Sequence, residues 1–111
     1  MSSEPQKTEW LVILPDQADA LPRRMEVRPT HLENVAKDVG SGFWLFGGAW
    51  FEDVPKEGEP PKIKGSAMLA WAESKEAVMT KLKNDVYTKN EVWDWDKVQI
   101  FPFKSAVRKP L

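Results

Sequence analysis

The chain has 111 residues, sixteen basic and seventeen acidic, with a net charge near −1. That length suits one domain with one hydrophobic core, and the balanced charge offers no general attraction for nucleic acid or an anionic membrane. With no cysteine, disulfides, thiolate metal sites and a catalytic thiol drop out, and the composition fits a reducing, cytoplasmic setting.

Met1 to Thr8 is polar, lacks the apolar centre of a signal peptide, and reads as a flexible tail ahead of one domain over residues 9–111. No apolar run approaches the roughly 20 residues that cross a bilayer. Trp10-Leu11-Val12-Ile13-Leu14, closed by Pro15, is the continuous apolar run of a strand buried on both faces. Asp16 to Asp19 form a polar turn. From about Leu21 to Val39 the spacing predicts a helix, with Leu32, Val35, Ala36 and Val39 inward. Pro29 either opens this helix or bends a longer one that begins near Pro22, and Gly40 and Gly42 stop it.

Phe43 to Phe51 reads as a second strand, in which Gly47-Gly48 marks a bulge or a close approach to the backbone. Glu52 to Pro61 is a charged, proline-rich loop. Ile63 to Trp71 makes a third strand, and Ser74 caps a second helix that runs to about Asp85 with Val78 and Leu82 inward. A turn-rich stretch from Tyr87 to Asp96 leads to a last strand, Val98 to Phe103, where Pro102 suits a sheet edge.

The order βαββαβ predicts an α+β, ferredoxin-like fold: a four-stranded antiparallel sheet with both helices on one face. The other face would then expose much hydrocarbon, at a cost of roughly 25 cal/mol per Å². A second copy stacked on it would remove that cost, so a homodimer through the open face is expected. The six tryptophans fill the core or line a dimer seam or ligand pocket.

Four short stretches carry a family resemblance. Arg28-Pro29-Thr30-His31-Leu32, after Arg23-Arg24-Met25-Glu26-Val27, resembles the R-x-x-H-L signature of the YCII-related family. Lys64-Gly65-Ser66-Ala67 looks like its (T/K)-G-S motif, Asn84-Asp85-Val86-Tyr87 is similar to its D-P-Y/F element, and Ile100 to Lys104 to its terminal V-K-P-F-K. All four follow the family's order, over about Trp10 to Lys104. The resemblance implies a dimeric α/β barrel and a catalytic histidine–aspartate pair, and some relatives carry out cofactor-free elimination on small rings. The histidine carries over to His31; the aspartate is Asp85, at the D-P-Y position, or Asp16, after the first strand. Val86 departs from the usual proline, and Gly47-Gly48-Ala49-Trp50 stands where many relatives have Gly-Pro. The Pro/Glu loop and the tryptophans look most like fungal members, some associated with polyketide pathways.

His31 is the one histidine, and a nearby carboxylate would fix its tautomer and make it a proton shuttle. Arg28, one turn earlier, would hold an enolate, phenolate or carboxylate, or else pair structurally with Glu33 or Asp85. Ser66 would donate to the same oxygen, or serve merely as a small strand residue. Trp44, Trp50, Trp71, Phe46 and Met68 are the candidate substrate-binding side chains. No ligand cluster with metal spacing occurs, and Gly40-Ser41-Gly42 lacks the pattern of a phosphate loop. The leading expectation is a cofactor-independent lyase or isomerase that works by His-centred acid–base chemistry on a small aromatic or polyketide-like molecule. The alternative is a dimeric protein that binds such a molecule without chemistry.

Overall fold

The computed structural model describes residues 6–110, so most of the predicted tail lies outside the described residues. The apolar run at Trp10 is the centre of strand β1, Thr8–Pro15. Helix α1, Leu21–Gly40, leads to β2, Trp44–Phe51, and β3, Ile63–Ala72. Helices α2, Lys75–Lys83, and α3, Val86–Lys89, precede a 3-10 turn at Trp95–Lys97 and strand β4, Gln99–Phe103. The sheet order is β2-β3-β1-β4, with every neighbouring pair antiparallel. This is the ferredoxin-like α+β sheet expected from the element order, and β4 with its Pro102 is an edge.

Helix α1 is the longer of the two forms its sequence allows, with Pro22 in the first turn and Pro29 inside. Pro29 deprives the Met25 carbonyl of its usual i→i+4 donor. Both residues are exposed, so water can replace the missing bond. The buried side of the helix differs from the expected one. Leu32 and Val39 are 45% and 52% exposed and Ala36 is exposed, while Arg24 and His31 are buried, with Val27 and Val35 packed against the core. Positions 24, 27, 31 and 35 form one helical stripe, and its two polar members can go inside because each is paired.

Helix α2 starts as predicted, with Ser74 Oγ accepting from the Ala77 N–H at 3.1 Å and Val78 and Leu82 buried. It stops at Lys83, because Asp85 caps a separate short helix, α3, by accepting from the Tyr87 N–H at 2.8 Å.

Cross-strand partners share a sheet face. On the helix-covered face lie Val12 and Leu14 of β1 and Ser66, Met68 and Ala70 of β3, joined by Val78, Leu82, Tyr87, Val92 and Trp93 in one core. The opposite face carries Leu11 and Ile13 of β1, Leu69 and Trp71 of β3, and Phe101 and Phe103 of β4. In β2, Trp44 pairs with Ala70 but Phe46 pairs with Leu69, because an irregularity falls between them. That extra residue flips the strand's parity. Trp44 therefore points into the core, 3% exposed, and Phe46 points out of the open face, 47% exposed.

The β2 irregularities sit between Trp44 and Phe46 and between Trp50 and Phe51, not at Gly47-Gly48. Gly47 instead makes room for Met68, whose Cε would lie 3.2 Å from an added Cβ. The tightest glycine is Gly65, where a Cβ would stand 2.5 Å from both the Leu14 carbonyl oxygen and Trp50 Nε1. The sheet backbone cannot yield there, so Gly65→Ala is expected to cost roughly 1–3 kcal/mol. The check is the urea midpoint; an unchanged value would show that both the Trp50 ring and the β1 backbone at Leu14 give way there.

The chain's last described stretch is fastened to the sheet through Glu9, which accepts from the Ser105 N–H at 2.7 Å and the Ser105 hydroxyl at 2.5 Å. These bonds to the Ser105 hydroxyl and amide, with Arg108 nearby, hold the Glu9 carboxyl below its ordinary range.

Candidate active site

His31 projects from the buried stripe of α1 and meets Asp85 at the start of α3. Its Nδ1 lies 2.9 Å from Asp85 Oδ1 and 3.0 Å from Oδ2. Asp85 Oδ1 also accepts from the Tyr87 amide, and an ionised carboxylate only accepts, so Nδ1 is the protonated nitrogen. In the neutral imidazole that leaves Nε2 with the lone pair. Among the described residues Nε2 has no hydrogen-bond partner. The imidazole is 7% exposed and stacks on Tyr87 with ring centres 3.8 Å apart and planes 12° from parallel.

Arg24 stands seven residues before His31, two turns or about 10 Å along the same side of α1. Tyr87 fills the interval, with the Arg24 guanidinium carbon 4.6 Å from its ring centre. Arg24 Nε donates to Asp16 Oδ2 at 2.8 Å and Nη2 to Asp16 Oδ1 at 3.0 Å. These side chains are 4% and 5% exposed, which makes a bidentate ion pair inside the protein. Nη2 also donates to Ser66 Oγ at 2.6 Å. The Trp93 indole lies edge-on to both His31 and Tyr87, with ring centres 6.0 and 5.5 Å away, and its Nε1 donates to Ser66 Oγ at 3.2 Å. Burial pushes the Tyr87 phenol above its ordinary range, against the opposing pull of Arg24 and Arg28, so the phenol stays neutral.

Of the two aspartates left open by the sequence, Asp85 is beside His31, while Asp16 belongs to Arg24. Arg28 is exposed and, among the described residues, makes no ion pair with Glu33 or Asp85. The arginine within the cluster is Arg24, four residues earlier on the buried stripe. Ser66 is inside the cluster. The five candidate binding residues are divided by the sheet: Trp44 and Met68 are buried on the helix side, whereas Phe46, Trp50 and Trp71 stand on the open face. Arg24, Tyr87 and Trp93 escaped the sequence reading. The seven-residue interval from His31 was the signal for Arg24, and the D-x-Y spacing for Tyr87.

A cavity of about 290 Å³ opens between the β1–α1 turn and the β2–β3 connection, lined by Asp16, Gln17, Leu21, Glu52, Ile63 and Lys64 among others. Asp16 thus belongs to both the cavity wall and the buried cluster; His31 and Asp85 do not line the cavity. Among the described residues no three histidine or acidic side chains are grouped as metal ligands, and no helix is long and apolar enough to cross a membrane.

No protein-family model matches the chain. It is 35% identical over 102 residues to aspercryptin biosynthesis cluster protein B of Emericella nidulans, covering 91% of this chain and 65% of that protein's length. It is also 35% identical over 97 residues to fusaric acid biosynthesis protein 2 of Gibberella fujikuroi, covering 87% of this chain and 93% of that protein. Among solved structures it is similar to 5-chloro-2-hydroxyhydroquinone dehydrochlorinase of Burkholderia phenoliruptrix in complex with 2,5-dihydroxybenzoquinone. The TM-score is 0.74 at 20% identity, over 86% of this chain and 93% of that one. That likeness is one of fold, and the sequence relatives carry the kinship: the chain belongs to the family of fusaric acid biosynthesis protein 2.

Proposed function

We propose that this protein processes a small molecule in fungal-type secondary metabolism, as a cofactor-independent lyase or isomerase acting on a small aromatic or polyketide-like carbonyl compound. The observation that carries the reading is the buried His31–Asp85 pair with Nε2 left free. Relatives that bear the names of biosynthesis-cluster proteins supply the metabolic context. A structural neighbour that eliminates chloride from a hydroxylated ring, and is held with a dihydroxyquinone, supports the substrate class. The order of short motifs supports membership of the YCII-related family as well.

In the proposed reaction Nε2 takes a proton from carbon next to the carbonyl, and the C–H electron pair becomes the enolate. Asp85 holds the imidazolium that results. The enolate then re-forms the carbonyl, and its C=C pair becomes a new double bond between the α- and β-carbons. The β-substituent departs with its bonding pair, taking the proton back from Nε2 when water leaves. Without a leaving group, reprotonation at another carbon gives an isomer. The test is deuterium uptake, followed by NMR, at the acidic C–H of a panel of small aromatic β-hydroxy and β-keto compounds in D2O. Exchange that depends on His31 supports the reading. Saturable binding with no exchange would favour the non-catalytic alternative, which the position of the 290 Å³ cavity away from His31 supports.

As part of the same reading, the protein is a single-domain homodimer joined through the open sheet face. Phe46, Trp50, Trp71, Phe101 and Phe103 are each 37–47% exposed there, an apolar expanse of the kind that marks an interface. Trp71→Lys with Phe101→Lys is expected to halve the mass seen in sedimentation velocity. A wild-type chain that sediments as a monomer at high concentration would remove the dimer.

A further inference from the structure

The buried hydroxyl of Ser66, 4% exposed, has two donors aimed at it. Arg24 Nη2 reaches Ser66 Oγ at 2.6 Å and Trp93 Nε1 reaches it at 3.2 Å. Guanidinium and indole N–H groups can only donate, so both lone pairs of the hydroxyl are taken. Its own proton must point elsewhere, and among the described residues no acceptor receives it. A buried donor without a partner is costly, and this one is also strengthened, because the positive guanidinium behind it polarises the O–H bond. Beside Ser66 on the same sheet face stand Leu14 of β1 and Ala49 of β2. Ala49 is small and exposed, so the β2 flank of the hydroxyl carries only a methyl group; beyond it the space over Gly47 is filled by the Met68 side chain.

We propose that Ser66 is the hydrogen-bond donor for a ligand's carbonyl oxygen, and that Arg24 and Trp93 are positioning residues that aim its proton by occupying its lone pairs. This rests on, and deepens, the carbonyl-substrate reading above. The charge balance sets the ligand class. Arg24 is already neutralised by Asp16 at 2.8 Å, so the site presents a sharpened dipole, not a net positive charge. It suits a neutral ketone or quinone oxygen that gains negative charge during reaction, and it disfavours phosphates and other dianions. The same geometry excludes Ser66 as a nucleophile, since attack requires a lone pair and both are engaged.

The experiment uses 4-hydroxyacetophenone, 13C-labelled at the carbonyl, with infrared spectroscopy of the bound probe and NMR titration of its affinity. In the wild-type protein the bound carbonyl band is expected at lower frequency than in Ser66→Ala, with binding weakened roughly 3- to 10-fold by the substitution. Ser66→Thr, which keeps the hydroxyl, is expected to restore the band. Trp93→Phe frees one lone pair and lets the hydroxyl rotate, so its band should broaden and shift part of the way back even where its melting temperature matches that of Ser66→Thr. A purely structural Ser66 would leave the band where it is in every variant, and that result overturns the proposal. So does a wild-type protein that fails to bind the probe at millimolar concentration. His31-dependent exchange is read on different residues with a different signal, so either proposal can fail alone.

Discussion

His31→Ala is expected to lower deuterium exchange on a responsive compound by roughly 100- to 10,000-fold, the usual contribution of a positioned acid–base group. The loss should fall on kcat, with KM little changed, because Nε2 acts on the proton and not on the bulk of the ligand. His31→Gln should behave the same way while filling more of the space against Tyr87. Asp85→Asn should produce a smaller loss. An amide can still accept from the Tyr87 N–H, but it no longer compels Nδ1 to carry the hydrogen. Rates within about threefold of wild type for His31→Ala, with the fold intact by circular dichroism, would exclude His31 as the base.

Arg24→Leu is expected to be the most destabilising polar substitution, at about 3–5 kcal/mol. It leaves the Asp16 carboxylate, with a side chain only 5% exposed, without its cation. Ser66 loses a donor and Tyr87 loses the group against its ring at the same time. Urea unfolding at neutral pH measures the effect. Arg24→Leu combined with Asp16→Asn should recover much of the loss, since no charge then remains unpaired, and the double-mutant cycle isolates the pair. A single-variant cost under about 1 kcal/mol would mean that the pair behaves like an exposed surface bridge.

These two side chains also mark where sequence reading succeeded and where it stopped. The strands were legible because each is an apolar run bounded by proline, glycine or charge, and the ferredoxin-like sheet followed from element order. The existence of α1 was legible as well, but its inward face was not. Apolar periodicity pointed to Leu32 and Val39, whereas the buried stripe is carried by Arg24 and His31. Charged groups enter a core only when partners meet them, and those partners come from distant turns. Asp85 is 54 residues from His31 and Ser66 is 42 from Arg24. The aromatic set is divided between the two faces for a different reason. One surplus residue between Trp44 and Phe46 sends neighbours of equal parity to opposite faces, and nothing in their identities announces it.

The Asp85 carboxylate serves the imidazole and the Tyr87 amide together, so it clips the midpoint of α1 to the corner where α2 gives way to α3. Tyr87, whose ring supports the imidazole from the side, hangs from that same clip. Orientation of the base and closure of the corner are therefore one mechanical event: a chain that has misplaced its histidine has also let go of its aromatic backing.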